Sequence, residues 1–178
     1  TPAICMRLFS EEFELGTFNL LRSLPISIER IIFSKILSQI FLLAIILVPT
    51  IIFIYSIGTL SSPAFNIDLG IIFSAYLSLL LLIIVFVCLS ALASSMANKQ
   101  ALSFVLGVFL NFVFWQGPQE MSKIFNFDFT FQSLNYHFQN ISRGVLDFSS
   151  VGFYLGLILM IMGLIILRFR WNYLKSKI

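Results

Sequence analysis

The sequence predicts an all-α polytopic membrane protein, and two observations predict it: the overall composition and four long apolar runs. Hydrophobic residues make up 59% of the 178 residues and charged residues only 11%, which leaves too little polar surface to cover a soluble domain. A run of about 20 apolar residues is enough to cross a bilayer. We therefore expect four transmembrane helices, over residues 31–58, 69–97, 101–117 and 151–168.

Prolines mark irregular points in these spans. Pro49 lies inside the first span, where its missing N–H group and its ring favour a kink. Trp115 is followed by Gly117 and Pro118, so we expect an interfacial aromatic anchor and then a break that ends the third span, although a re-entrant segment is also open there. Residues 118–150 are expected to be extracytoplasmic and to contain short re-entrant or interfacial helices.

The distribution of basic residues predicts the orientation. If residues 10–30 are inside, then of the eleven Lys and Arg residues only Lys123 and Arg143 fall in outer segments. We therefore expect both ends of the chain, including the tail at residues 169–178, to be cytoplasmic. The net charge of +3 is explained by basic residues at an anionic inner leaflet, and no basic stripe with interleaved aromatic residues indicates a nucleic-acid partner.

Residues 10–30 have the local signals of short helices at a membrane surface. Ser10 is expected to cap a helix whose first turn carries Glu11 and Glu12, and Gly16 is expected to interrupt that helix. Thr17 is expected to cap a second short helix, which ends at a proline. Its apolar face would consist of Phe18, Leu20, Leu21 and Leu24. Residues 1–9 are expected to be the end of an upstream transmembrane helix. On physical grounds alone, a lipid-surface elbow between two spans remains open.

Two stretches resemble a known family. The first resembles the cytoplasmic coupling segment of ABC-2-type transporter permeases, and it consists of Glu11-Glu12-x3-Gly16-Thr17, Leu20-Leu21 and Leu24-Pro25-Ile26-Ser27. The second resembles the permease subunit of the gliding-motility-associated ABC transporter, and it is also similar to the permease of nitrous-oxide reductase maturation. Its residues are Asn135-Tyr136-His137-Phe138, Ile141-Ser142-Arg143-Gly144-Val145 and Asp147.

This resemblance implies both a fold and a function. The fold would be the ABC-2, type V exporter-like transmembrane fold, with four spans visible of an expected six and a cytoplasmic amphipathic coupling helix. The chain would be the permease subunit of an exporter linked to gliding motility or cell-surface assembly, in a bacterial inner membrane. It would pair with itself or a second permease and bind a cytoplasmic ABC ATPase. The residues implied in coupling to that ATPase are Glu11, Glu12, Gly16, Thr17 and Arg22.

No bound cofactor or catalytic activity is expected of the chain itself. It has no Gly-rich phosphate loop, so ATP and magnesium are expected on the partner ATPase. His137 has neither a second His nor a neighbouring Cys, which makes a metal site a poor interpretation. We expect His137, Arg143 and Asp147 instead to join the outer helices to one another by charge-assisted hydrogen bonds. The alternative function is a membrane scaffold of a motility or secretion machine that moves no substrate.

Overall fold

The structure is a computed structural model that describes residues 1–17, 27–60, 68–125, 130–144 and 147–175, and every regular element in these ranges is helical. Two short 3-10 turns, Val48–Thr50 and Thr130–Gln132, accompany the α-helices. The α-helices are α1 Pro2–Cys5, α2 Arg7–Glu14, α3 Ile28–Leu47, α4 Ile51–Leu60, α5 Leu69–Met96, α6 Gln100–Phe125, α7 Leu134–Ser142 and α8 Phe148–Lys175.

Within the described ranges, four helical segments are long and apolar enough to cross a membrane, which confirms the predicted four-span all-α fold. Large apolar side chains remain exposed along all four, as expected where lipid replaces water as the solvent. The segments are Ile28–Leu60, Leu69–Met96, Gln100–Ile124 and Phe148–Trp171.

The first span changes its helical type at Pro49. A 3-10 turn, Val48–Thr50, separates α3 from α4 there. The hydroxyl of Thr50 donates to the Leu47 carbonyl at 2.6 Å and therefore accepts from the Tyr76 hydroxyl, 2.7 Å away on α5. The helix therefore changes type at Pro49, where a kink was expected, and a neighbouring helix bonds to this turn.

The third span does not end where the sequence analysis placed its end. Helix α6 continues through Pro118 to Phe125, so the predicted break after residue 117 is wrong. Side chains located after α6 in the chain form hydrogen bonds with the helical turn that begins at Pro118. Gln119 donates to the Ser133 hydroxyl at 3.4 Å and accepts from the Asn135 amide at 3.2 Å. These bonds support the helix where the proline removes a backbone donor.

Helix α5 is the centre of the bundle, since it packs against α1, α2, α3, α6, α7 and α8. Its C-terminal half is the most buried part of the described chain and is rich in small side chains. The buried residues there include Val85, Val87, Cys88, Leu89, Ser90, Ala91, Ala93 and Ser94. Because α1 and α2 contact one end of α5 and α7 contacts the other, α5 connects two regions that are far apart along the bundle.

The start of α2 also differs from the prediction. Ser10 is not a capping residue, because it lies inside α2, is fully buried, and donates its hydroxyl to the Met6 carbonyl. The helix begins at Arg7, and Ser94 of α5 bonds its first turn: the hydroxyl oxygen accepts from the backbone amides of Phe9 at 3.0 Å and Ser10 at 3.1 Å. A side chain distant in sequence therefore takes the place of a local cap.

Candidate coupling surface

Helix α2 lies at one end of the bundle and is bonded there to several membrane helices; we call this region the α2 end. Lys35, near the start of α3, forms an ion pair with Glu12 and donates to the Leu8 carbonyl at 2.8 Å. Its ammonium group also lies 5.5 Å from the centre of the Phe9 ring. A single lysine thus contacts two successive turns of α2.

Aromatic side chains attach α2 to α8. The rings of Phe9 and Phe169 lie 5.1 Å apart between centroids, and those of Phe13 and Phe169 lie 6.1 Å apart and nearly parallel. Close by, Arg168 donates through Nε to the Ser95 carbonyl of α5 at 3.0 Å. Since α2 also bonds to α5 through Ser94, displacement of α2 would act directly on three of the four spans.

The residues implied in coupling occupy different environments at the α2 end. Glu11 and Glu12 are both partly exposed on α2, and Glu12 forms the ion pair with Lys35. Gly16 follows the helix at a φ of +69°, a left-handed conformation that glycine adopts readily, and its amide lies 3.4 Å from the Phe13 carbonyl. Thr17 is partly buried in the adjoining turn. Arg22 and the predicted second helix lie outside the described residues.

Lys35, Ser94 and Phe169 were missing from the residues assigned to coupling by the sequence analysis. Lys35 carried a usable signal, because it is a charged residue near the start of an otherwise apolar run. Ser94 and Phe169 carried none, since a serine or phenylalanine in a span is compatible with ordinary packing. Only the fold brings them to α2.

The opposite end of the bundle is organised around a buried histidine on α7, and we call it the α7 end. His137 is 5% exposed and stacks on Phe153 of α8, with ring centroids 4.3 Å apart. Nε2 lies 2.9 Å from the Phe131 carbonyl, which can only accept, so Nε2 carries the proton. Nδ1 of the neutral ring then accepts from the Ser150 hydroxyl at 3.0 Å.

The predicted hydrogen bonds among His137, Arg143 and Asp147 are not found, because the described partners of His137 are Phe131 and Ser150. Asp147 instead accepts from the Ser149 amide at 3.2 Å, at the start of α8. Arg143 is exposed at the end of α7. Burial lowers the pKa of His137, and the Phe131 carbonyl and the Asp147 charge partly oppose this shift.

Small polar side chains join α5 to α6 between the two ends. Asn111 donates to the Ser90 hydroxyl oxygen at 3.0 Å, and that hydroxyl in turn donates to the Phe86 carbonyl at 2.7 Å. A Cβ atom on Gly107 would lie 3.4 Å from Pro2, so the glycine permits close approach of α1. These contacts pack this face of α6 against α5 and α1.

An apolar cavity of about 600 Å³ lies between α6 and α8 near the α7 end. None of the described residues that line it is ionisable. Those residues are Val113, Phe114, Gly117, Pro118, Met121, Gln132, Gly152, Phe153, Gly156, Leu157 and Met160.

Comparison with known proteins identifies the family. The family model described as ABC-2 family transporter protein matches residues 3–171, which include both ends of the bundle and all four candidate spans. Searches of curated proteins and of solved structures found no match. The match extends over far more than half of the chain and agrees with the all-helical, four-span architecture. The chain is therefore a multi-pass membrane protein that belongs to the ABC-2 transporter family.

Proposed function

We propose that this chain is the permease subunit of an ABC exporter and that the α2 end receives mechanical work from a separate cytoplasmic ATPase. The observation that carries this proposal is the attachment of α2 to three spans, through Lys35 of α3, Ser94 of α5 and Phe169 of α8. A short helix fixed in this way transmits a displacement to the membrane segments instead of absorbing it. Membership in the ABC-2 family supports the same function.

The proposed contact with the ATPase comprises Glu11, Gly16, Thr17 and Arg22, with Glu12 beside them on α2. Glu11 is partly exposed, and Gly16 adopts a left-handed conformation directly after α2. ATP and magnesium would be bound by the ATPase, so the permease itself has no catalytic role in this proposal. The permease would form a dimer with itself or with a related permease.

The proposed membrane is the bacterial inner membrane, with the α2 end and both chain ends in the cytoplasm and the α7 end outside. The basic-residue distribution supports this orientation. The cargo would be linked to gliding motility or cell-surface assembly, and the support for this is the resemblance of the segment that contains Asn135, His137 and Asp147.

Cysteine labelling tests the orientation. Leu15 is 68% exposed at the α2 end, and Gln139 is exposed at the α7 end, so each can be replaced by Cys and treated with a membrane-impermeant maleimide. We expect Gln139→Cys to react in intact cells and Leu15→Cys to react only after the cells are opened. The parent chain is the control, because Cys5 and Cys88 are both buried. The reverse labelling pattern would contradict the orientation.

Affinity purification tests the function. The full-length permease is recovered from its native membrane as wild type, as Glu11→Lys, and as the matched control Glu120→Lys, which makes the same charge change near the α7 end. We expect an ATPase with the wild type and the control, and about tenfold less with Glu11→Lys, because misplaced charge at a docking surface disfavours association. Recovery of no ATPase with the wild type would contradict the proposal and favour the scaffold.

A further inference from the structure

The ion pair between Glu12 and Lys35 has the geometry of an internal connection. Lys35 lies near the start of α3 and is 26% exposed in its side chain, and Glu12 is 18% exposed in its side chain. The same ammonium group donates to the Leu8 carbonyl, so Lys35 holds the backbone of α2 as well as its carboxylate. A contact partly withdrawn from water and made to two sites on one helix is stronger than an exposed ion pair.

The orientation of Glu12 makes it poorly suited to bind another protein. One carboxylate oxygen contacts Lys35, and the other is buried and has no hydrogen-bond partner within the described part of the chain. Glu11 is partly exposed, as Glu12 is, whereas Glu14 is exposed and accepts from the Gln100 amide at 3.4 Å; what sets Glu12 apart is its ion pair with Lys35. Sequence position alone would group these three glutamates, but the structure separates Glu12 from the other two.

The position of the pair along the chain suggests what it does. Residues 13–34 lead from Glu12 to Lys35 and include the segment expected to meet the ATPase. Without a direct connection, a push on this segment could separate α2 from α3 instead of moving both. We propose that the Glu12–Lys35 pair is a positioning contact that makes α2 and the first span move together. This inference rests on the proposed function, and it makes Glu12, which the resemblance implied in coupling to the ATPase, an internal connector.

A double-mutant cycle in the full-length permease tests this role. The variants are Glu12→Gln, Lys35→Met, and the two combined, with Lys35→Arg as the conservative variant that keeps the charge. Glu120→Gln is the matched control, because it removes one member of another Glu–Lys pair, the exposed pair with Lys123. Two quantities are measured for each: the amount of ATPase recovered, and the ATP hydrolysis rate of the recovered complex relative to that of the isolated ATPase.

We expect all variants to recover the ATPase within about twofold of the wild type. Stimulation of ATP hydrolysis should fall about fivefold or more in Glu12→Gln and Lys35→Met. A fivefold change lies at the lower end of the couplings measured between two sites in proteins. The combined variant should be no worse than either single change, because both remove the same contact. Lys35→Arg and Glu120→Gln should keep the stimulation. Loss of ATPase recovery in Glu12→Gln would instead make Glu12 a docking residue and overturn the inference.

A distance measurement separates this inference from the proposed function, because it does not require the ATPase. Spin labels at the exposed positions Glu14 and Ser38 report the separation of α2 and α3 in the permease alone, in a background with Cys5→Ala and Cys88→Ala. We expect a narrow distribution with the native pair and a broader one with Lys35→Met. An unchanged distribution overturns the connector role. A broadened distribution in a permease that recovers no ATPase supports the contact and contradicts the proposed function.

Discussion

The two ends of the bundle are held together by different chemistry. At the α2 end, Lys35 and Arg168 bond to carboxylate or carbonyl oxygens. At the α7 end, a neutral histidine joins Phe131, Ser150 and Phe153 by hydrogen bonds and ring stacking. Charged groups regain water when an ionic contact opens, whereas the aromatic contacts of both ends, Phe9 with Phe169 and His137 with Phe153, would expose apolar rings. The α2 end therefore differs from the α7 end in its charged donors and its ion pair, while both ends contain aromatic packing.

We expect the largest change in the free energy of unfolding when the aromatic packing at the α2 end is removed. Phe9 is 1% exposed and packs on Phe169, so Phe9→Ala would leave a cavity and should lower the free energy of unfolding by about 3–5 kcal/mol. Unfolding by SDS in mixed micelles, followed by loss of helicity, measures this change. A loss below about 1 kcal/mol would show that apolar packing does not hold α2 in place.

Replacing the histidine should weaken the α7 end by a smaller amount. In His137→Ala, the Ser150 hydroxyl and the Phe131 carbonyl lose their partners, and we expect a loss of about 2 kcal/mol in the same unfolding measurement. Hydrogen exchange should rise in α7 but not in α2. The His137→Gln variant keeps a donor and an acceptor and should lose less. An equal rise of hydrogen exchange in α2 and α7 would show that the two ends of the bundle are not independent of each other.

The sequence predicted the spans better than it predicted the ends, because the two depend on different information. Hydropathy depends on local composition, so four apolar runs were enough to locate four helices. The start of α2 depends on Ser94, which is distant in sequence. The continuation of α6 beyond Pro118 is accompanied by hydrogen bonds of Gln119 with Ser133 and Asn135. Tertiary partners of this kind override local capping and breaking signals. The ion pair between Glu12 and Lys35 could not be predicted for the same reason, because it forms only in the folded chain.

Acid should destabilise the α7 end. The pKa of His137 is lowered by burial, so the unfolded chain, with an ordinary pKa of about 6.5, binds a proton at a higher pH than the folded chain does. The free energy of unfolding should therefore be constant above about pH 7.5 and fall as the pH drops through about 6.5 toward the lowered pKa. Hydrogen exchange in α7 at these pH values measures the effect. The His137→Gln variant should lack it, and an equal pH response in that variant would contradict the assignment.

The smallest effect should come from the exposed ion pair at the α2 end. Arg170 and Glu29 contact each other, but their side chains are 67% and 52% exposed, so water and salt screen their attraction. Glu29→Gln should change the free energy of unfolding by less than about 0.5 kcal/mol. Glu12→Gln should lower it by about 1.5–3 kcal/mol, because the mostly buried ammonium group of Lys35 loses the negative charge of its partner. The SDS midpoints of the two variants, measured side by side, compare the pairs directly. If the two variants lose the same free energy of unfolding, the greater burial of the Glu12–Lys35 pair does not make it stronger than the Glu29–Arg170 pair. Both would then be ordinary surface ion pairs.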